Sequence, residues 1–230
     1  MNKLSTNTAI LVDGGFYRRR SQAVLGDKTP EDRAIELSAY CKRHTKLHGE
    51  NCNLYRIFYY DCPPSSKKVF HPFFQKQIDL AKTDLYKWTL DFYDELKKKR
   101  KFALRMGKLA DEQALYSIRP DIVKKLCRNA INFSDLTEND FFLNVEQKGV
   151  DMRIGLDIAS MAYKKQVNQI VLISGDSDFV PAAKLARREG IDFILDPLGS
   201  PIKPDLFEHI DALRTCDARF TKRSIQTLSK

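Results

Sequence analysis

Gln169-Ile170-Val171-Leu172-Ile173-Ser174-Gly175-Asp176-Ser177-Asp178-Phe179 is the stretch that decides the fold. Residues 169–173 read as a short strand buried on both faces, the mark of a parallel sheet covered by helices. Upstream, about residues 152–166 carry Ile154, Ile158, Met161 and Ala162 at helical spacing. Downstream, a helix is expected across 179–189 with Pro181 in its first turn and Gly190 ending it, and 191–195 then form the next strand. Helix, strand, helix, strand in that order predicts an α/β domain with a mainly parallel sheet and helices on both faces.

A second buried strand lies at the other end of the chain, in Thr8-Ala9-Ile10-Leu11-Val12-Asp13-Gly14-Gly15. It ends in a carboxylate and a glycine pair that lets the backbone turn sharply and leaves room beside it. A helix is expected at about 30–48, opened by Thr29-Pro30-Glu31, followed by a strand from Asn53 to Tyr60 that Asp61-Cys62-Pro63-Pro64 breaks. Residues from about 65 to 145 fit the alternation poorly and read as an inserted elaboration. It would hold a charged helix at roughly 83–100, a hairpin of Phe102–Met106 with Ala114–Arg119, and a helix near 120–129. The expected organisation is one domain over 1–215, with that insertion and a basic tail over 216–230.

Composition narrows the function classes. Apolar residues make up 43% of the 230, enough for a core, and no apolar run nears the roughly 18–20 residues of a membrane span. With no signal-like N-terminus, a soluble cytoplasmic protein is expected. Five widely spaced cysteines without a CxxC pair argue for reduced thiols. The net charge of +9, gathered in clusters such as Arg18-Arg19-Arg20, suits a polyanionic substrate. Arg18, Arg19, Lys148, Lys164 and Lys203 are the candidate nucleic-acid contacts. RNA is the expected partner, single-stranded DNA the second candidate; no membrane is expected, and a homo-oligomer is left open.

Parallel sheets place ligand sites outside the carboxyl ends of their strands. If the strands at 8–12 and 169–173 are neighbours, Asp13 meets Asp176 and Asp178 at one edge. Asp151 and Asp157 belong to the start of the helix feeding the second strand, so they come to the same edge. Asp151 and Asp157 lie six residues apart, about 240° around a helix. Either the helix begins after Asp151, or one of the two acts from one remove. Five gathered carboxylates repel one another unless cations neutralise them or their pKa values rise. Oxygen-only ligands favour Mg²⁺ or Mn²⁺ over zinc, and such an ion activates water for an in-line displacement at phosphorus.

The segments Val12-Asp13-Gly14-Gly15, Lys148-Gly149-Val150-Asp151, Leu156-Asp157 and Ser174-Gly175-Asp176-Ser177-Asp178-Phe179-Val180-Pro181 resemble, in order and spacing, the motif series of the NYN-domain family. This is the LabA-like branch of the PIN-like nucleases. The resemblance spans about residues 6–60 and 145–212. It implies a three-layer PIN-like α/β/α fold and Mg²⁺- or Mn²⁺-dependent hydrolysis of phosphodiesters, usually of RNA. The matching catalytic and metal-binding aspartates are Asp13, Asp151, Asp157 and Asp176, with Asp178 supporting as a metal ligand. Where many relatives place an Asn after the first Asp-Gly, this chain reads Gly15-Phe16-Tyr17, and Glu31 and Glu36 are the candidates for a further helical glutamate.

Other constellations carry less. Cys41, His44, His48 and Cys52 have metal-like spacing, but Gly49 and Asn51 should end the helix before Cys52. His71-Pro72-Phe73-Phe74 in the insertion is a candidate lining for a substrate path. No phosphate-binding loop or dinucleotide fingerprint occurs. The primary expectation is a metal-dependent endoribonuclease; the alternatives are a non-catalytic RNA-binding or interaction module on the same fold, and a small-molecule phosphatase. The phosphatase lacks the Asp-x-Asp pair that an aspartyl-phosphate enzyme needs.

Overall fold

The computed structural model describes residues 6–46 and 52–221. Six parallel strands form the central sheet. In chain order they are β1 (Thr6–Asp13), β2 (Cys52–Asp61), β5 (Phe102–Met106), β10 (Gln169–Ile173), β11 (Asp192–Asp196) and β12 (Ala212–Leu213). Their spatial order is β12-β11-β10-β1-β2-β5. The two strands read most readily from sequence are therefore central neighbours, with Val12 opposite Ile173. Polar side chains pin this register at the amino ends of the strands. Thr8 donates to Gln169 at 3.0 Å, and Gln169 donates to Asp192 at 2.6 Å.

Alternation along the strands divides the core into two layers. Leu11, Leu172, Phe193 and Leu195 face α5 (Val150–Tyr163) and α6 (Val180–Arg188). Ile10, Val12, Val171, Ile173, Ile57 and Tyr59 face α1 (Gly14–Leu25), α2 (Pro30–His44) and α3 (Asp84–Lys97). Thr29 caps α2 by accepting from the Asp32 N–H, and Thr83 caps α3 in the same way. Trp88 of α3 stacks on Phe92 at 5.1 Å, and Phe92 meets the buried Tyr59 edge-on at 5.7 Å. The result is the expected α/β/α sandwich.

The middle of the chain departs from its sequence reading. Phe102–Met106 is not half of a hairpin: it adds to the main sheet as β5, parallel to β2, and α3 packs into the core. Only two pieces of the 65–145 span stand apart from the sandwich. One is the antiparallel hairpin of β3 (Lys68–His71) and β4 (Lys76–Asp79). The other leaves β5 through β6 (Lys108–Leu109), β7 (Leu115–Ile118) and α4 (Pro120–Cys127), and returns through β8 (Phe141–Asn144) and β9 (Gln147–Lys148). Within it β7 pairs with β8 and β6 with β9, both antiparallel. Part of the expected basic tail also packs on the sandwich, since Phe220 is buried beside Tyr40 at 5.7 Å; residues 222–230 lie outside the described residues. Among the described residues no helix is long and apolar enough to cross a membrane.

Candidate metal centre at the carboxyl edge of the sheet

Asp13 ends β1 and turns the chain into α1. Its Oδ1 accepts from the Phe16 N–H at 3.0 Å, a helix N-cap. Gly14 follows because the helix start is pressed against β2: a Cβ there would lie 2.6 Å from the Tyr60 carbonyl oxygen. The other oxygen of Asp13 accepts from the Ser174 hydroxyl at 3.2 Å, and that hydroxyl accepts from the Asp176 N–H at 3.3 Å. A single hydroxyl oxygen thus bridges the Asp13 carboxylate and the backbone of Asp176. Asp176 in turn accepts from the Asp178 N–H at 3.1 Å and caps the Ser177–Phe179 turn.

Asp151 sits in the first turn of α5. Its carboxyl is raised above the usual range, first by partial burial and then by the charges of Asp176 and Asp178. Burial likewise raises Asp13. The Phe16 and Ser174 hydrogen bonds oppose that shift, Asp151 adds to it, and Arg19 lowers it. Asp151 thus feels the charges of Asp176 and Asp178, and Asp13 feels that of Asp151, which puts the four carboxylates along one rim. Among the described residues none of the four forms an ion pair, in a chain of net charge +9.

Asp157 is placed differently. It is on α5, turned away from Asp151 as the six-residue offset requires. Its Oδ2 accepts from the Tyr60 hydroxyl and from Arg105 Nε, each at 2.8 Å, and the Arg105 guanidinium grips both its oxygens. That fork ties α5 to β2 and β5, and the structure does not bring Asp157 to the other four. The basic candidates also divide. Arg18 is turned into the protein, paired with the fully buried Asp61 at 2.9 Å. Lys164 caps the far end of α5, about 20 Å along the helix from Asp151 at 1.5 Å per residue. Arg19 and Lys148 are exposed at the acidic rim's flanks, and Lys203 is exposed at the start of α7 (Pro204–Glu208), which packs against the Ser177–Phe179 turn.

Two strand-end carboxylates escaped the sequence reading. Asp61 ends β2 and accepts from Arg18, the Tyr59 hydroxyl at 3.1 Å, Gln147 Nε2 at 3.1 Å and the Cys62 N–H at 2.8 Å. Asp196 ends β11 and receives the Tyr40 hydroxyl, His44 Nε2 at 2.9 Å, Thr215 Oγ1 at 2.9 Å and the Leu198 N–H at 2.9 Å. Their signal was present, since each is the last residue of a strand, as Asp13 is. The Asp196 hub also accounts for His44 of the zinc-like spacing; Cys41 is buried in the core, and His48 lies outside the described residues. Of the glutamate candidates, Glu36 is held by Lys28 and Arg33, each at 2.6 Å, and Glu31 is an exposed first-turn acid of α2. In the Gly15-Phe16-Tyr17 stretch, where the sequence departs from the family's motif, the Phe16 ring lies against Gly175; a Cβ on that glycine would come 2.7 Å from it.

The donor set fits a hard divalent cation in its chemistry: carboxylate oxygens only, crowded enough to repel, and without cationic side-chain partners. Among the described residues no three His, Cys, Asp or Glu side chains are drawn together at metal-coordinating spacing. Mg²⁺ keeps several of its waters and needs only one or two direct carboxylates, so the two observations are compatible.

Residues 92–201 match the NYN domain. The matched stretch holds Asp151, Asp157, Asp176 and Asp178 and takes in the end of α3, β5 and the second inserted piece, which the motif resemblance left out; it does not include β1 and Asp13. No curated protein matches the chain. Among solved structures, a protein of unknown function, VPA0982, from Vibrio parahaemolyticus RIMD 2210633 superposes with a TM-score of 0.51 at 13% identity, over 96% of this chain and 98% of that one. It shares the fold. A chain reported under "Structural Basis for the Mechanism and Regulation of Sir2 Enzymes" aligns over 99% of this chain and 95% of its own at 8% identity, but its TM-score of 0.35 carries no argument. The parallel sheet, the helices on both its faces and the family match agree: this chain carries an NYN domain, of the PIN-like type associated with nucleases, over residues 92–201.

Proposed function

We infer that the protein is a divalent-metal-dependent nuclease, acting on RNA as an endoribonuclease. The observation that carries this reading is the uncompensated group Asp13, Asp151, Asp176 and Asp178 on a chain that is otherwise basic. These carboxylates would hold a divalent ion, which when bound would supply an activated water and offset charge on the leaving oxygen. Asp13 is the fixed member, held through both oxygens by Phe16 and Ser174. Asp176 is held through its backbone by Ser174, and Asp151 approaches from α5 beside the charges of Asp176 and Asp178. Arg19, Lys148 and Lys203 flank the rim as contacts for the phosphate backbone. Asp157 and Arg18 serve the fold, and Lys164 is too distant to take part.

The test is cleavage of single-stranded and structured RNA in Mg²⁺ or Mn²⁺ against EDTA. Asp13→Asn and Asp176→Asn should each lower the rate about 100-fold or more. Cleavage that persists in EDTA, or in both variants, overturns the proposal. A binding module without turnover is the second reading, favoured by the lack of an Asn in the Gly15-Phe16-Tyr17 stretch. It predicts salt-sensitive RNA binding that the aspartate variants leave unchanged.

A further inference from the structure

Between Asp61 and Asp79 the chain has no acidic residue, and it has Lys67, Lys68 and Lys76. This stretch contains the β3–β4 hairpin, which exposes three large rings: Phe70 at 54%, Phe73 at 42% and Phe74 at 38%. Phe73 and Phe74 are held in place: His71 is buried, 4.7 Å from Phe74 and 4.1 Å from Tyr116 of β7, while Phe70 points to the opposite side of the strand. Phe73 meets Phe74 edge-on at 5.2 Å, and the Lys76 ammonium lies 5.2 Å over the Phe74 ring. Fixed aromatic faces beside cations are what a stacking surface for nucleobases requires, because every base has a π-face and every linkage a charge.

The location matters as much as the composition. The hairpin follows β2 from its carboxyl end at Asp61, and β2 is the strand beside β1 and Asp13. The second inserted piece returns to the sandwich at Val150, next to Asp151. Ser65 donates to Asp111 at 2.8 Å and Lys67 pairs with it at 3.3 Å, joining the two pieces into one arm. The arm therefore rises from the same rim as the carboxylates.

We propose that Phe73 and Phe74 on this hairpin form a platform that stacks the unpaired bases of a single-stranded nucleic acid and leads its backbone toward the acidic rim. The proposal rests on the nuclease reading for what lies at the end of that path. A single strand with unpaired bases is the occupant that ring faces set among lysines fit, and a lipid surface is an outcome of the test.

The test uses the full chain in EDTA, so that binding is read without turnover. Fluorescence anisotropy compares a labelled oligouridylate, an abasic strand of equal length and a duplex. The wild type should bind the strand with bases at least about 10-fold more tightly than the abasic one, and Phe73→Ala with Phe74→Ala should remove that preference. Phe73→Trp should retain it, and circular dichroism of both variants should match the wild type. Equal affinity for the abasic strand, a preference for duplex, a preference surviving the double alanine variant, or binding to phosphatidylserine vesicles in place of RNA overturns the platform. Base-dependent binding without cleavage in Mn²⁺ would leave the platform standing and refute the nuclease; cleavage without base-dependent binding would do the reverse.

Discussion

Replacing Asp61 with Asn tests the division of charges at the rim, because it asks whether Arg18 belongs to the protein or to its substrate. Asp61 is fully buried, and the Arg18 side chain is 24% exposed. The carboxylate takes two contacts from the guanidinium and one hydrogen bond each from Tyr59, Gln147 and Cys62. Asparagine keeps one acceptor for the Cys62 N–H and Arg18 Nη2 but turns an amide toward Arg18 Nε and Tyr59, leaving a largely desolvated cation without a counter-charge. Breaking a buried pair in this way costs about 3–5 kcal/mol. For a chain of this length each kcal/mol moves the melting temperature by about 2–4 °C, so a fall of about 6–20 °C is expected. Arg18→Met should be similarly costly, and the double variant should recover part of the loss, because it leaves neither charge alone. Calorimetry of the four proteins completes the cycle, and RNA affinity measured below the melting range should not change in Arg18→Met. A shift under about 2 °C for Asp61→Asn, or strict additivity, would refute the assignment of this pair to the fold.

Further outcomes follow from the same geometry. Asp157→Asn should lower stability by loosening the Arg105 fork while leaving the cleavage rate per folded molecule within about 3-fold, against the 100-fold loss expected for Asp151→Asn; single-turnover assays on thermally verified protein separate the two. The raised carboxyls give a signed pH effect. With folded pKa values above unfolded ones, Asp13 and Asp151 carry no penalty below about pH 4, and a penalty that grows as pH climbs through their folded values and then stays constant. In EDTA, Asp13→Asn should therefore gain on the wild type in melting temperature as pH rises. Mn²⁺ at about 100 times its dissociation constant should return about 2.7 kcal/mol to the wild type and less to the variant, so a pH-independent difference unaffected by Mn²⁺ would count against the site. Charge reversal separates the two edges: Arg19→Glu should weaken RNA binding and flatten its salt dependence, while Lys164→Glu should leave both within about 2-fold, as anisotropy across a salt series will report.

The central part of this architecture was legible because its signals are local. Ile170–Ile173 and Ala9–Val12 are apolar on both faces, which only an internal parallel strand satisfies, and once they are neighbours Asp13 and the Asp176 loop must meet. The 240° offset within α5 already separated Asp157 from Asp151. Phe102–Met106 was misassigned because an edge strand is only half-covered, and its partner β2 lies some 40 residues back. Asp61 was passed over because Asp-Cys-Pro-Pro is dominated by its prolines, which mark the end of a strand and conceal that the terminal carboxylate is inside the protein. Arg18 reads as one of three surface arginines; only the three-dimensional placement of α1 beside β2 shows that its head is enclosed. The place of Lys164 at the far end of α5 has the same origin, since position along a helix sets which edge a residue reaches.

The saturated carboxylates on either side of the central pair have an implication for where an incoming ion can settle. Asp61 and Asp196 hold equivalent posts at the ends of β2 and β11, yet each is already occupied by donors that the chain itself provides. The protein has thereby closed two of its own addresses, and the gap between β1 and β10 is the one left open. Selectivity of place, on this view, comes less from an unusually attractive pocket than from the neighbours having been silenced. A variant that strips Asp61 or Asp196 of its internal donors should not merely soften the fold but also offer metal a second, unproductive berth.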